Sequence, residues 1–280
     1  MPHLKAKTIN ETLREAAQRI PADEAAYLLR WVLGVREAWL FLHGDEAMPD
    51  EAAGRFSAAV ERRVEGEPVA YIEGRRGFWN LDLEVSPDTL IPRVETERLV
   101  EAALALIPEG APCDVLDLGT GSGAIALAIA QERPLARVLA VDRSAQALQV
   151  ARRNAERHHL TRVAFVEGSW FEPVGNRKFH CIVSNPPYIR DDDAHLTQGD
   201  LRFEPRTALS SGTDGLDDIR RIVSAASRYL HAHGALLLEH GFDQGAAVRE
   251  LLSSAGFVAV ETLQDLEARD RVSSGLRRPD

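Results

Sequence analysis

Two cysteines in 280 residues, Cys113 and Cys181, are too few and too far apart to form a disulfide framework. No Cys-x-x-Cys spacing exists either, and both residues sit in apolar, strand-like contexts that predict buried thiols. Basic residues are in deficit: 33 Lys and Arg against 43 Asp and Glu leave a net charge of −10. A large nucleic-acid footprint needs a basic surface, so this balance argues against direct nucleic-acid binding and for a protein or small-molecule partner. The opening Met1-Pro2-His3-Leu4-Lys5 starts neither a signal peptide nor a membrane span, which predicts a cytoplasmic protein without membrane contact. His158, His159, His231 and His233 have no carboxylate at ligand spacing, so no metal site is expected. No Ser-His-Asp arrangement is visible.

What remains is an ordinary soluble composition, 45% hydrophobic and 27% charged, long enough for one large domain or two modest ones. Residues 8–66 carry helical periodicity. Leu13, Ala16, Ala17 and Ile20 share one face before Pro21, and Asp23 opens a second helix that Gly34 ends. A third runs from Asp50 to Val64. This predicts a helical domain over 1–67. The apolar runs 69–72 and 78–83 flank Gly74-Arg75-Arg76-Gly77 and read as a β-hairpin linker over 68–86. From 87 to 280 strands and helices alternate, which predicts an α/β domain with a mostly parallel sheet covered on both faces.

Two stretches carry chemistry. The apolar strand Val115-Leu116-Asp117-Leu118 runs into Gly119-Thr120-Gly121-Ser122-Gly123 and then an apolar helix. Glycines allow close backbone approach, and a helix N-terminus favours an acidic group. The next strand ends at Asp142, placed to accept two ribose hydroxyls. Gly119, Gly121 and Ala124 also fit a dinucleotide fingerprint, so that reading stands as a rival. A third strand ends before Trp170, which can cover an adenine ring or pack into the core.

The second stretch is Ser184-Asn185-Pro186-Pro187-Tyr188, after the strand residues 179–183. Two prolines end the strand and stiffen the turn. Such a turn suits methylation of a planar nitrogen, whose lone pair is delocalised. The Asn185 side-chain oxygen and the Pro186 carbonyl can accept its two hydrogens, while Tyr188 packs on the flat group. Glycine loop, Asp142 and Asn-Pro-Pro-Tyr in this order fit a methyltransferase and leave no use for a hydride carrier.

The chain from about Pro68 onward resembles the bacterial release factor glutamine methyltransferase family, S-adenosylmethionine-dependent protein-(glutamine-N5) methyltransferases, and its helical N-terminal part fits that layout too. The match extends to Phe78-Trp79, Thr89-Leu90-Ile91-Pro92-Arg93 with Glu95-Thr96-Glu97, Gln198-Gly199-Asp200, Arg202-Phe203-Glu204-Pro205, Leu238-Glu239-His240-Gly241 and Arg271-Val272. Departures fall at Val94, Ser169 and Glu267, where the family usually has Pro, often Asp, and usually Gly. The resemblance implies a seven-stranded class I methyltransferase (Rossmann-like) sheet with the last strand antiparallel. It also implies an N-terminal domain that helps to dock the substrate. That substrate is the glutamine of the Gly-Gly-Gln loop in class I peptide-chain release factors. Gly119, Thr120, Gly121, Ser122, Gly123, Asp142, Trp170 and Asn185 would hold S-adenosylmethionine, and its product S-adenosylhomocysteine. Asn185, Pro186, Pro187 and Tyr188 would grip the glutamine amide, with Asn185, Pro186 and Tyr188 as the catalytic set. A ribosomal-protein glutamine methyltransferase, and further off a nucleic-acid amino-methyltransferase, remain as alternatives.

Overall fold

A computed structural model describes residues 7–279, so the Met1–Lys5 stretch read above for targeting lies outside it. The chain divides into two compact units, the first ending at Gly74 and the second starting at Arg75.

The first unit is helical: α1 (Ile9–Ala16), α2 (Ala22–Leu33), α3 (Glu37–His43), α4 (Asp50–Val64) and α5 (Val69–Glu73). Thr8 and Glu11 form a reciprocal capping box that starts α1, and Gly34, left-handed at φ +68°, stops α2. Ile9, Leu28, Leu29, Phe56, Val60 and Ile72 pack into its core. Between α2 and α4 the Arg63 guanidinium forks onto Glu24 at 2.6 and 2.9 Å. One expectation is corrected here. Val69–Glu73 is helix, not the first hairpin strand, because Pro68 supplies an N-terminus and left-handed Gly74 a C-cap. The hairpin is displaced along the chain, with β1 (Arg75–Phe78) pairing antiparallel with β2 (Leu81–Glu84).

The second unit continues with α6 (Glu97–Leu106), β3 (Cys113–Leu118), α7 (Ala124–Glu132), β4 (Ala136–Asp142), α8 (Ala145–Arg157), β5 (Ala164–Glu167) and β6 (Phe179–Ser184). It ends with α9 (Asp217–Ala226), β7 (Leu230–Glu239), α10 (Gly245–Ser254), β8 (Val258–Gln264) and β9 (Asp270–Leu276). Seven strands form one sheet in the order β5-β4-β3-β6-β7-β9-β8, parallel except at β9, which runs antiparallel to both neighbours. Side chains alternate between two cores, as a sheet covered on both faces requires. Val115, Cys181, Val183 and Leu237 face one, and Leu116, Leu118, Ile182, Leu236 and Leu238 the other. Truncating a side chain such as Leu116 to Ala would cost about 2–5 kcal/mol. Both cysteines are free and buried, and burial pushes their thiols up.

Strand order grows outward in opposite directions from the β3–β6 pair, so the crevice beyond their carboxyl ends is the topological switch point. The glycine loop leaves β3 there, and Asn185 leaves β6 beside it.

Candidate functional site

The glycine loop folds back over β4, with the Gly119 and Thr120 N–H groups both donating to the Val141 carbonyl at 2.8 and 3.0 Å. Gly119 has φ +76°, and a Cβ there would stand 3.4 Å from the Trp170 ring. The conformation therefore calls for glycine, while a Cβ would sit at ordinary contact distance from the ring. Asp142, ending β4, accepts the Gly121 N–H on Oδ2 at 2.8 Å and the Ser144 N–H on Oδ1 at 2.9 Å. Each oxygen keeps a further lone pair for a ligand hydroxyl. Burial raises the Asp142 carboxyl, and these two N–H groups pull it back down. Ser144, not Asp142, caps α8 by accepting the Ala147 N–H.

These groups surround a cavity of about 190 Å³ lined by Gly119, Gly121, Asp142, Trp170, Asn185 and Pro187, with Leu90 and Pro205 among its other walls. Residues as far apart in the sequence as Leu90 and Pro205 are thus gathered around one cavity. Trp170 both lines the cavity and packs against the core below it.

Other site candidates stand behind this wall. The Thr120 hydroxyl donates to Asp117 Oδ2 at 2.6 Å, and Ser122 is buried with its carbonyl accepting from Asn154. Gly123 packs so close that a Cβ would meet Ala151 and Leu127 at 3.2 Å. These three shape the loop from below. Asp117 itself is fully buried, with Oδ1 unpartnered among the described residues. Burial lifts it to about 7, helped by Asp142 nearby and opposed by the Thr120 hydrogen bond.

In Asn-Pro-Pro-Tyr, the Asn185 Nδ2 donates to Thr96 Oγ1 at 3.2 Å, which leaves Oδ1 as the free end of the amide. Pro186 is buried. Tyr188 does not line this cavity, and its hydroxyl donates to Glu239 Oε1 at 3.3 Å. Burial and that carboxyl push the phenol well above its ordinary value. The loop after Tyr188 is fixed by main-chain bonds from Tyr188 and Ile189 to Leu209, and by Gln244, whose Nε2 donates to the Tyr188 carbonyl.

Sequence reasoning gave no role to Thr96 or Glu239. The available signal was an acid closing the apolar run Ala235-Leu236-Leu237-Leu238, where burial of a charge calls for a reason. It also found no carboxylate for His231. The sheet supplies one: Asp114, His180 and His231 bring ligating atoms within 4.8 Å of one another at the far, amino-terminal edge of β3, β6 and β7. Arg137 already grips both Asp114 oxygens at 2.6 Å, and these hydrogen bonds, with its charge, hold that carboxyl below the usual range. The Asp114 N–H donates to His180 Nδ1 as well.

Similarity to known proteins follows this architecture. Residues 7–74 match the family described as the PrmC N-terminal domain, and residues 99–203 the methyltransferase small domain. A release factor glutamine methyltransferase from Xylella fastidiosa is 57% identical over 263 residues, 94% of this chain and 96% of its own. The chain belongs to the release factor glutamine methyltransferase family. The Escherichia coli member of the release factor glutamine methyltransferases is 46% identical over 268 residues, again 94% of this chain and 96% of that one. A solved methyltransferase from Pyrococcus furiosus, 18% identical, shares the fold with a TM-score of 0.55 over 80% of this chain and all of that one.

Proposed function

We propose that the protein transfers a methyl group from S-adenosylmethionine to the side-chain amide nitrogen of the glutamine in the Gly-Gly-Gln loop of class I peptide-chain release factors. The observation that carries this reading is the Asn185 amide on the cavity wall, its nitrogen committed to Thr96 and its oxygen free. A primary amide is a poor nucleophile because its lone pair is delocalised. A fixed acceptor orients it and favours the positive charge that grows on nitrogen as the new bond forms. Pro186 offers its carbonyl as the second acceptor on the same stiff turn. The nitrogen becomes acidic as the bond forms and gives its proton to water along the Asn185 contact, so no general base is assigned.

The cavity suits a nucleoside-bearing methyl donor. Gly119 and Gly121 allow close approach, Asp142 retains lone pairs for ribose hydroxyls, and Trp170 offers a flat apolar face. S-adenosylmethionine supplies the electrophilic methyl group. Tyr188 supports the site through its carbonyl and hydroxyl contacts rather than by stacking inside this cavity. We take the first unit as the docking domain for the release factor, its apolar contact being Phe41 and Leu42, which are 90% and 76% exposed on α3. Among the described residues no helix is long and apolar enough to cross a membrane. The substrate belongs to translation, which places the proposed activity in the cytoplasm.

The test is methyl transfer from labelled S-adenosylmethionine to an intact class I release factor, the same factor with its Gly-Gly-Gln glutamine replaced, and a pool of oligonucleotides. Label on the intact factor alone, abolished by Asn185→Ala, supports substrate and site together. Label on the oligonucleotides alone overturns the reading.

A further inference from the structure

Gln244 stands where the chain turns from β7 into α10, and its side-chain amide is fully used. Oε1 accepts the Gly241 N–H at 2.8 Å, while Nε2 donates to the Tyr188 carbonyl at 3.0 Å and to the Asp214 carbonyl at 3.3 Å. A primary amide offers an acceptor oxygen and two N–H donors, and here each has a partner. Turned over, its oxygen would face two carbonyls and its NH2 an N–H, so the orientation is fixed by chemistry. The two carbonyls lie 56 and 30 positions away in the sequence.

A local turn does not call for those two donors. The Gln244 main-chain N–H already closes the turn onto the Gly241 carbonyl at 2.9 Å, and a side-chain acceptor is all that the Gly241 N–H needs. The donors instead reach two segments that are bonded to each other. Residues 188–191 run alongside 209–212: the Tyr188 and Ile189 N–H groups donate to the Leu209 carbonyl, Ser211 N–H to Ile189, and Asp191 N–H to Gly212. Gly215, at the end of this strap, comes so near that a Cβ would collide with the Tyr188 carbonyl oxygen. The chain entering the strap, at Pro205, Thr207 and Ala208, lines the cavity. Gln244 therefore pins the point where the Asn-Pro-Pro-Tyr turn meets a cavity wall. The two prolines between Asn185 and Tyr188 have fixed φ, so a displacement of the Tyr188 main chain is passed on to Asn185 instead of being absorbed.

We propose that Gln244 is a positioning residue which, by holding the Tyr188 carbonyl against the 209–215 strap, fixes the Asn-Pro-Pro-Tyr turn and with it the Asn185 amide at the cavity wall. It does not line the cavity, so it acts through the main chain of Tyr188 and not by touching a ligand there. The reaction it serves is the one proposed above, and the inference rests on that reading.

The test uses the full-length protein with Gln244→Glu, Gln244→Met and Gly215→Ala, and Gln244→Glu combined with Gly215→Ala. Glutamate keeps an acceptor for the Gly241 N–H, and an acid suits the start of α10, so a role confined to the turn would tolerate it. It removes both donors, however, and methionine does so without adding a charge. Gln244→Glu and Gln244→Met are each expected to lower kcat on the release factor roughly 10- to 100-fold, the scale of a misplaced reacting group. KM for the release factor and the affinity and stoichiometry of S-adenosylhomocysteine binding should hold, which also counts the folded sites. Gly215→Ala pushes on the same carbonyl and should lower kcat in the same way. The double variant should be no worse than its weaker parent, because both changes act through one atom. Wild-type turnover with Gln244→Glu, a change confined to KM, or losses that multiply in the double variant overturns the inference. A second readout needs no substrate: the side-chain NH2 pair of Asn185 in 15N NMR, assigned by its loss in Asn185→Asp. That pair should shift in Gln244→Glu and Gln244→Met; an unmoved pair shows that the turn holds without Gln244 and sinks the idea. If wild-type protein fails to label the release factor, the function proposed above fails, while the NMR result still decides whether Gln244 holds the turn.

Discussion

The buried carboxylate of Glu204 joins two segments more than a hundred residues apart, pairing with the Arg93 guanidinium through Oε1 and accepting the Ile91 N–H through Oε2 at 2.9 Å. Leu90 and Pro205, beside these partners, both line the cavity, so the clamp sets the separation of two of its walls. Glu204→Ala strands a main-chain donor and half-buried Arg93. It should cost about 2 kcal/mol in urea unfolding, the scale of lost hydrogen bonds to a charged group. S-adenosylmethionine affinity should fall as well. Unchanged unfolding and binding would show that the walls hold without the clamp.

Gly119→Ala brings a Cβ to 3.4 Å from the Trp170 ring at a backbone φ of +76°. Strain of about 1 kcal/mol is expected from the backbone alone. The Cβ itself only touches the Trp170 ring, so the loop's backbone shift carries the effect, and cofactor affinity should drop by up to about tenfold while the fold persists. Titrating S-adenosylhomocysteine by calorimetry, with circular dichroism as the fold control, checks both halves of this expectation.

Asp117 gives a signed pH dependence. Its folded value, about 7, lies above the ordinary 3.8, so its contribution to stability is full below about pH 4 and is lost as pH rises toward 7. Asp117→Asn still accepts the Thr120 hydroxyl and does not titrate. Between pH 4 and 7 the variant should lose less stability than the parent, by an amount on the order of a few kcal/mol. Urea unfolding across that window measures it. Glu239, also at about 7, gives a residual slope of the same sign in both proteins.

The docking role proposed for the first unit predicts a split in the kinetics. Phe41→Ser with Leu42→Ser changes two exposed side chains, so Tm should hold within a degree or two. KM for the release factor should rise several-fold, with kcat and S-adenosylmethionine affinity unchanged. An unaltered KM would move the docking surface elsewhere.

The sheet and the cavity wall were legible because their signals are local. An apolar run ending in glycines, an acid closing a strand, and two prolines after another strand each fix a backbone path that neighbours need not complete. The error at Val69–Glu73 has the same origin. A four-residue apolar run suits a buried strand or a buried helix equally, and Pro68 with Gly74 decided between them. Thr96, Glu204 and Glu239 could not be read this way, because each takes its meaning from partners that only the folded sheet brings near. The Asp114–His180–His231 group escaped for that reason too, its members lying on three different strands.

The placement of β9 between β7 and β8 bears on the order in which this protein matures. The glycine loop and Asp142 belong to strands made early in synthesis. The edge of β7 that ends at Glu239 is closed by the latest strand in the chain, which also brings Arg271. A growing chain can therefore assemble the cavity's first walls well before it acquires the support beneath Tyr188. Capacity to hold a ligand should precede capacity to use it, and the last few dozen residues carry that difference.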